Sequence, residues 1–74
     1  MTLLMMMSDE ERARQAPNEW EVLPIRMLND EHKQLSRLRR AGLIEHEVLT
    51  YSSPAYVGGR WRASRRVRAA RRAA

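Results

Sequence analysis

The sequence predicts a small α+β fold with two or three short helices, a β-hairpin and a basic C-terminal tail. Three stretches predict it: a capped amphipathic run from Asn29 that stops at Gly42, an extended run from Leu43 that returns through Gly58-Gly59, and the arginine-rich segment Ser64 to Ala74. The expected organisation is a flexible segment over residues 1–7, a folded domain over 8–63 and an arginine-rich tail over 64–74. A chain of 74 residues supports one core, whose net stability is about 3–5 kcal/mol.

Met1 to Met7 is apolar, without the basic residues or small-residue site of a signal peptide. It reads as a frayed extension or a short apolar arm. Ser8-Asp9-Glu10-Glu11 has the form of a capping box, with Ser8 as N-cap and Glu11 reaching back. A helix of about two turns follows and ends before Pro17. Asn18 to Glu21 repeats the cap pattern, so a second core helix, or the approach to it, is expected through Trp20, Val22 and Leu23. Pro24 must kink it or begin a new one.

Asn29 is the expected N-cap of the next helix, with Asp30 and Glu31 at the positive end of its dipole. Leu28, His32, Leu35 and Leu38 form one stripe. The same periodicity permits a single helix from Pro24 to Ala41, but the cap favours a break near Leu28. Gly42 is placed to end the helix in the left-handed conformation. From Leu43 to Tyr51, Ile44, His46, Val48 and Thr50 share one face of a strand. Gly58-Gly59 predicts a two-residue hairpin turn, with Arg60 to Ala63 as the return strand, Trp61 inward and Arg60 and Arg62 outward. In the tail, Ser64 can cap a helix through Val67 and Ala70. So short a basic helix is expected to be disordered alone and to order on an anion or partner.

The run Leu35-x-x-Leu38-x-x-Ala41-Gly42-Leu43-Ile44-Glu45 resembles the recognition helix and first wing strand of the winged helix-turn-helix family of bacterial and phage regulators. The resemblance implies a small winged helix. The helix Asp30 to Ala41 would enter a major groove and the Gly58-Gly59 wing would lie on the flank. The action implied is occupancy of double-stranded DNA. That means transcriptional repression, or the architectural bending performed by phage excisionases, which are similar in size, charge and winged architecture.

Charge points the same way on its own grounds. Met1 to Glu47 carries seven basic and nine acidic residues, net −2, whereas Val48 to Ala74 carries seven arginines and no acid, net +7. Such polarity marks a polyanion-binding surface. Lys33, Gln34 and Arg37 lie on the expected outer face of the recognition helix and are side-chain types that reach base edges; Arg40 lies beyond them. Arg60 and Arg62 are placed for minor-groove or phosphate contact at a wing tip. Arg65, Arg66 and Arg68, with Arg71 and Arg72, offer sequence-independent attraction to phosphates. Trp20 and Trp61 are expected in the core rather than on bases. Asp30 and Glu31 run against direct readout, because acids there face phosphates.

An enzyme is not expected. No glycine-rich phosphate loop or nucleophile motif is present, and His32 and His46 lie on different elements without metal-ligand spacing, so neither catalytic residue, metal nor cofactor is expected. The chain has no cysteine and no apolar run of membrane-spanning length. A cytoplasmic protein without membrane contact, possible as a homodimer, is the expectation. Two other classes remain open: a protein-binding module, such as a phage inhibitor docking on a host protein through its acidic half, and an RNA binder through the arginine-rich tail.

Overall fold

A computed structural model describes residues 7–24, 27, 29–50 and 57–74. The described chain is a small α+β arrangement of three helices on a three-stranded antiparallel sheet. Helix α1 spans Asp9–Arg14, strand β1 Glu21–Leu23, helix α2 Asn29–Arg40, strand β2 Ile44–Thr50, strand β3 Val57–Ala63 and helix α3 Arg65–Ala73. The sheet order is β1-β3-β2.

The stop and start signals at Ser8, Gly42 and Ser64 act as the sequence implies, whereas Asn29 is the first residue within α2 and not the cap before it. The Ser8 hydroxyl accepts from the Glu11 amide at 3.2 Å and caps α1. Gly42 takes φ +75°. Its amide donates to the Arg39 carbonyl at 3.0 Å, and the Leu43 amide donates to that of Leu38, also at 3.0 Å. These are the paired bonds of a Schellman stop, which satisfies two carbonyls that α2 leaves unpaired. Ser64 caps α3 by accepting from the Val67 amide at 3.2 Å.

Between α1 and α2 the sequence misleads. Where a second core helix was expected from Asn18, Glu21–Leu23 is strand β1, its residues aligned with Trp61, Arg60 and Gly59 of β3. Pairing with a central strand outweighs the local cap pattern, and Pro24 ends the strand without a ladder bond to give. Met27 lies outside any helix and α2 begins at Asn29, so one continuous helix from Pro24 is excluded.

A second correction concerns Gly58-Gly59. Both glycines lie inside β3, where Gly59 is flanked by Val48 on one side and Leu23 on the other, and Gly58 faces Leu49. The register from Ile44 opposite Ala63 to Thr50 opposite Val57 carries the ladder through both. The connection of the hairpin falls at 51–56, outside the described residues. Gly59 has φ +107°, a conformation that glycine alone adopts without strain.

The core lies between the sheet and the helices. Ala16, Leu35, Leu38, Ile44, Trp61 and Ala63 are buried, and Ala13, Leu23, Met27, Leu43 and Val67 pack against them. The pleat sends Ile44, His46, Trp61 and Ala63 inward, as the alternation implied, and leaves Glu45, Glu47, Arg60 and Arg62 on the outer face. Val67 draws α3 onto this core, so the arginine-rich segment is an ordered helix rather than the disordered tail expected. Arg71 supplies the reason. Its guanidinium donates to the carbonyls of Ala16 at 2.7 Å and Arg14 at 3.1 Å and to the side chain of Asn18 at 2.8 Å. The last helix is thereby fastened over the open end of the first.

Candidate nucleic-acid interface

The candidate contact residues, basic and amide, separate into those the fold consumes and those it leaves facing out. Gln34 belongs to the first group, and its expected exposure is overturned: it is 1% exposed. Its amide donates to the Asp9 carboxylate at 3.0 Å and to the Met7 carbonyl, while its oxygen accepts from Arg12 at 3.2 Å. With donor and acceptor both engaged at the α1–α2 seam, this side chain has nothing left for a base edge. Arg37 projects from the same seam and closes a two-pronged bond onto Asp9, both contacts at 3.0 Å. The bond from Arg37, then that from Gln34, lowers the Asp9 carboxyl to about 2.

Arg60 and Arg62 are also engaged. They stand within β3 and not at a turn, which removes them from the wing tip assigned to them. Arg60 pairs with Glu47 across the strands at 2.8 Å and holds that carboxyl below its ordinary range. Arg62 pairs with Glu45. Both guanidinium groups lie over the Trp20 ring, 4.1 and 4.4 Å from its centre. Trp20 is therefore a half-buried base for two cations, whereas Trp61 is core, its indole N–H donating to Glu21 at 3.3 Å. Arg68 donates to the Ala63 carbonyl at 3.1 Å and reaches Glu45 at 3.4 Å.

Arg14, Lys33, Arg39, Arg40, Arg65, Arg66 and Arg72 make up the second group. All are exposed, and among the described residues none has a carboxylate partner. The Schellman stop turns the chain away after Arg39 and Arg40, and Arg66 donates back to the Gly42 carbonyl at 3.4 Å, so a side chain from the first turn of α3 reaches the stop that ends α2. On α3, Val67, Arg68 and Arg71 face the domain; Arg65, Arg66, Ala69, Ala70, Arg72 and Ala73 face out. Sequence reasoning found these arginines but did not separate Arg71, an internal fastener, from Arg72 beside it. Arg39, which it did not single out, joins the exposed group.

His32 and His46 meet edge to face, ring centres 6.3 Å apart, between α2 and β2. Burial lowers the His46 pKa, against its bond to the Gly58 backbone, and electrostatic repulsion from His32 and Arg39 lowers it further. Among the described residues no three of His, Asp or Glu converge to hold a metal ion. No helix there is long and apolar enough to cross a membrane. No protein-family model matches this chain, and neither a curated protein nor a solved structure matches it.

Proposed function

We propose that this chain is a small winged-helix-like DNA-binding protein that acts by occupying double-stranded DNA, as a transcriptional regulator or an architectural factor of the excisionase kind. One observation carries the reading. Arg39, Arg40, Arg65 and Arg66 are exposed without a carboxylate partner among the described residues, Arg66 reaches the Gly42 carbonyl just past the end of α2, and the last 27 residues hold seven arginines and no acid. Exposed positive charges that the fold leaves without an acid are stabilised by a polyanion lying against them. A duplex supplies such a polyanion at regular spacing.

The test is fluorescence anisotropy against random-sequence duplex DNA at about 50 and 200 mM salt. Engagement of about four to five phosphates gives micromolar binding that weakens roughly 150- to 500-fold between the two salts. No binding at the lower salt sinks the reading. Single-stranded RNA bound more tightly than duplex would replace it with RNA binding.

A further inference from the structure

We infer that α3, rather than α2, is the helix that lies along the duplex. The inference rests on the DNA-binding reading above and assigns its geometry. On α2 two of the three candidate base-reading side chains are spent, Gln34 buried and Arg37 closed on Asp9, which leaves Lys33 on a helix whose exposed start carries Asp30. An acid at that end opposes the phosphates that flank any groove it would enter.

The outer face of α3 has the opposite make-up. Arg65, Ala69 and Arg72 stand at positions i, i+4 and i+7, one above another, with Arg66, Ala70 and Ala73 alongside. Arginine is the side chain best suited to phosphate and to guanine, and alanine meets the thymine methyl without standing the backbone off. A helix whose outer face is half alanine is slim, and a major groove about 12 Å wide admits a helix about 10–12 Å across. Arg65 and Arg66 also sit in the first turn of α3, where no acid is present and the helix dipole disfavours positive charge. The cost of that arrangement in the free protein falls when a polyanion lies along the same face. Arg39 and Arg40, just before the stop that Arg66 reaches, extend the surface to the flanking phosphates.

The experiment compares two charge-matched double variants with the full-length wild type in the same anisotropy titration, after circular dichroism and melting show both folded. Arg65→Ala/Arg72→Ala empties the α3 face; Arg37→Ala/Arg60→Ala removes two charges from α2 and the sheet. The α3 variant is expected to bind more than tenfold more weakly at about 50 mM salt, with the salt slope smaller by about two. Arg65→Gln/Arg72→Gln, which keeps polar side chains, is expected to follow it. The α2-and-sheet variant is expected to stay within about threefold. Equal losses in both double variants, or a larger loss in the α2-and-sheet variant, overturn the assignment of α3 and leave DNA binding standing. Failure of the wild type to bind removes both.

Discussion

The arginines of the α1–α2 seam and the sheet differ from those of the α2–α3 corner in what they meet. Arg37, Arg60 and Arg62 each close on a carboxylate from another element, so their charge is largely cancelled within the domain. Arg39, Arg40, Arg65 and Arg66 find no carboxylate among the described residues. Arg71 is an intermediate case: it is tied down only by neutral oxygens, so it fixes position without losing its charge. Residue type alone therefore does not mark an interface in an arginine-rich chain. Whether the fold has already supplied an acid decides it.

The widest break of this comparison comes from the core that both regions share. Leu38, 2% exposed, is enclosed, and Leu38→Ala should cost about 2–5 kcal/mol. That is most of the stability available to so small a domain. Urea unfolding followed by tryptophan fluorescence and by helical dichroism should shift together, because seam and corner rest on one cooperative unit.

Gln34→Leu tests the seam by itself. It leaves Arg12 and Asp9 each short of a partner and should cost about 1–3 kcal/mol. In a domain of this size the melting temperature should fall by roughly 5–20 °C. DNA affinity measured well below that temperature should be unchanged. A drop in affinity without a drop in melting temperature would return Gln34 to the interface.

The pH dependence of stability separates the seam from the histidine pair. The folded value for Asp9, about 2, lies below its ordinary 3.8, so its contribution is complete above the ordinary value and disappears as pH falls through the folded one. Asp9→Asn should therefore be less stable than wild type at neutral pH, and the urea midpoints of the two should converge on acidification towards pH 2. His46 acts in a higher window. Its folded pKa is below 6.5, so the unfolded chain takes up the proton first and stability declines as pH drops below 6.5. That decline should be the same in wild type and Asp9→Asn, and should be lost in His46→Gln.

The smallest expected effect is that of Arg60→Ala. Its pair with Glu47 is exposed, and Arg62 remains over Trp20, so the melting temperature should move by about 3 °C or less. A larger shift would mean that the outer sheet depends on this cation more than an exposed pair allows.

Signals that act within a few residues were legible in the sequence. Ser8, Gly42 and Ser64 cap or stop helices as their neighbours dictate, and Ile44 and His46 take the inward face by simple alternation. Features decided across the chain were not. Gly58-Gly59 has the local preference of a turn, but seven aligned pairs set the register and extend through it. Val22 and Leu23 follow a plausible cap, yet become a strand because β3 offers them an edge. Gln34 looks exposed until Asp9 and Arg12, more than twenty positions earlier, arrive to bury it. Arg71 looks like part of a solvated tail until it reaches Ala16 and Asn18, 55 and 53 positions away. For the site, the cluster of positive charge could be read directly, but its division into engaged and free residues required the positions of nine carboxylates.

The order β1-β3-β2 also governs when the molecule can form. The central strand is the last of the three to leave the ribosome, so β1 and β2 each have an unfilled edge until residues 57–63 have emerged. Until then the nascent chain can hold α1 and α2 only as short, weakly favoured helices. Both flanking strands gain their partner from β3, β2 along all seven of its residues and β1 along three, so neither can pair before that strand has emerged.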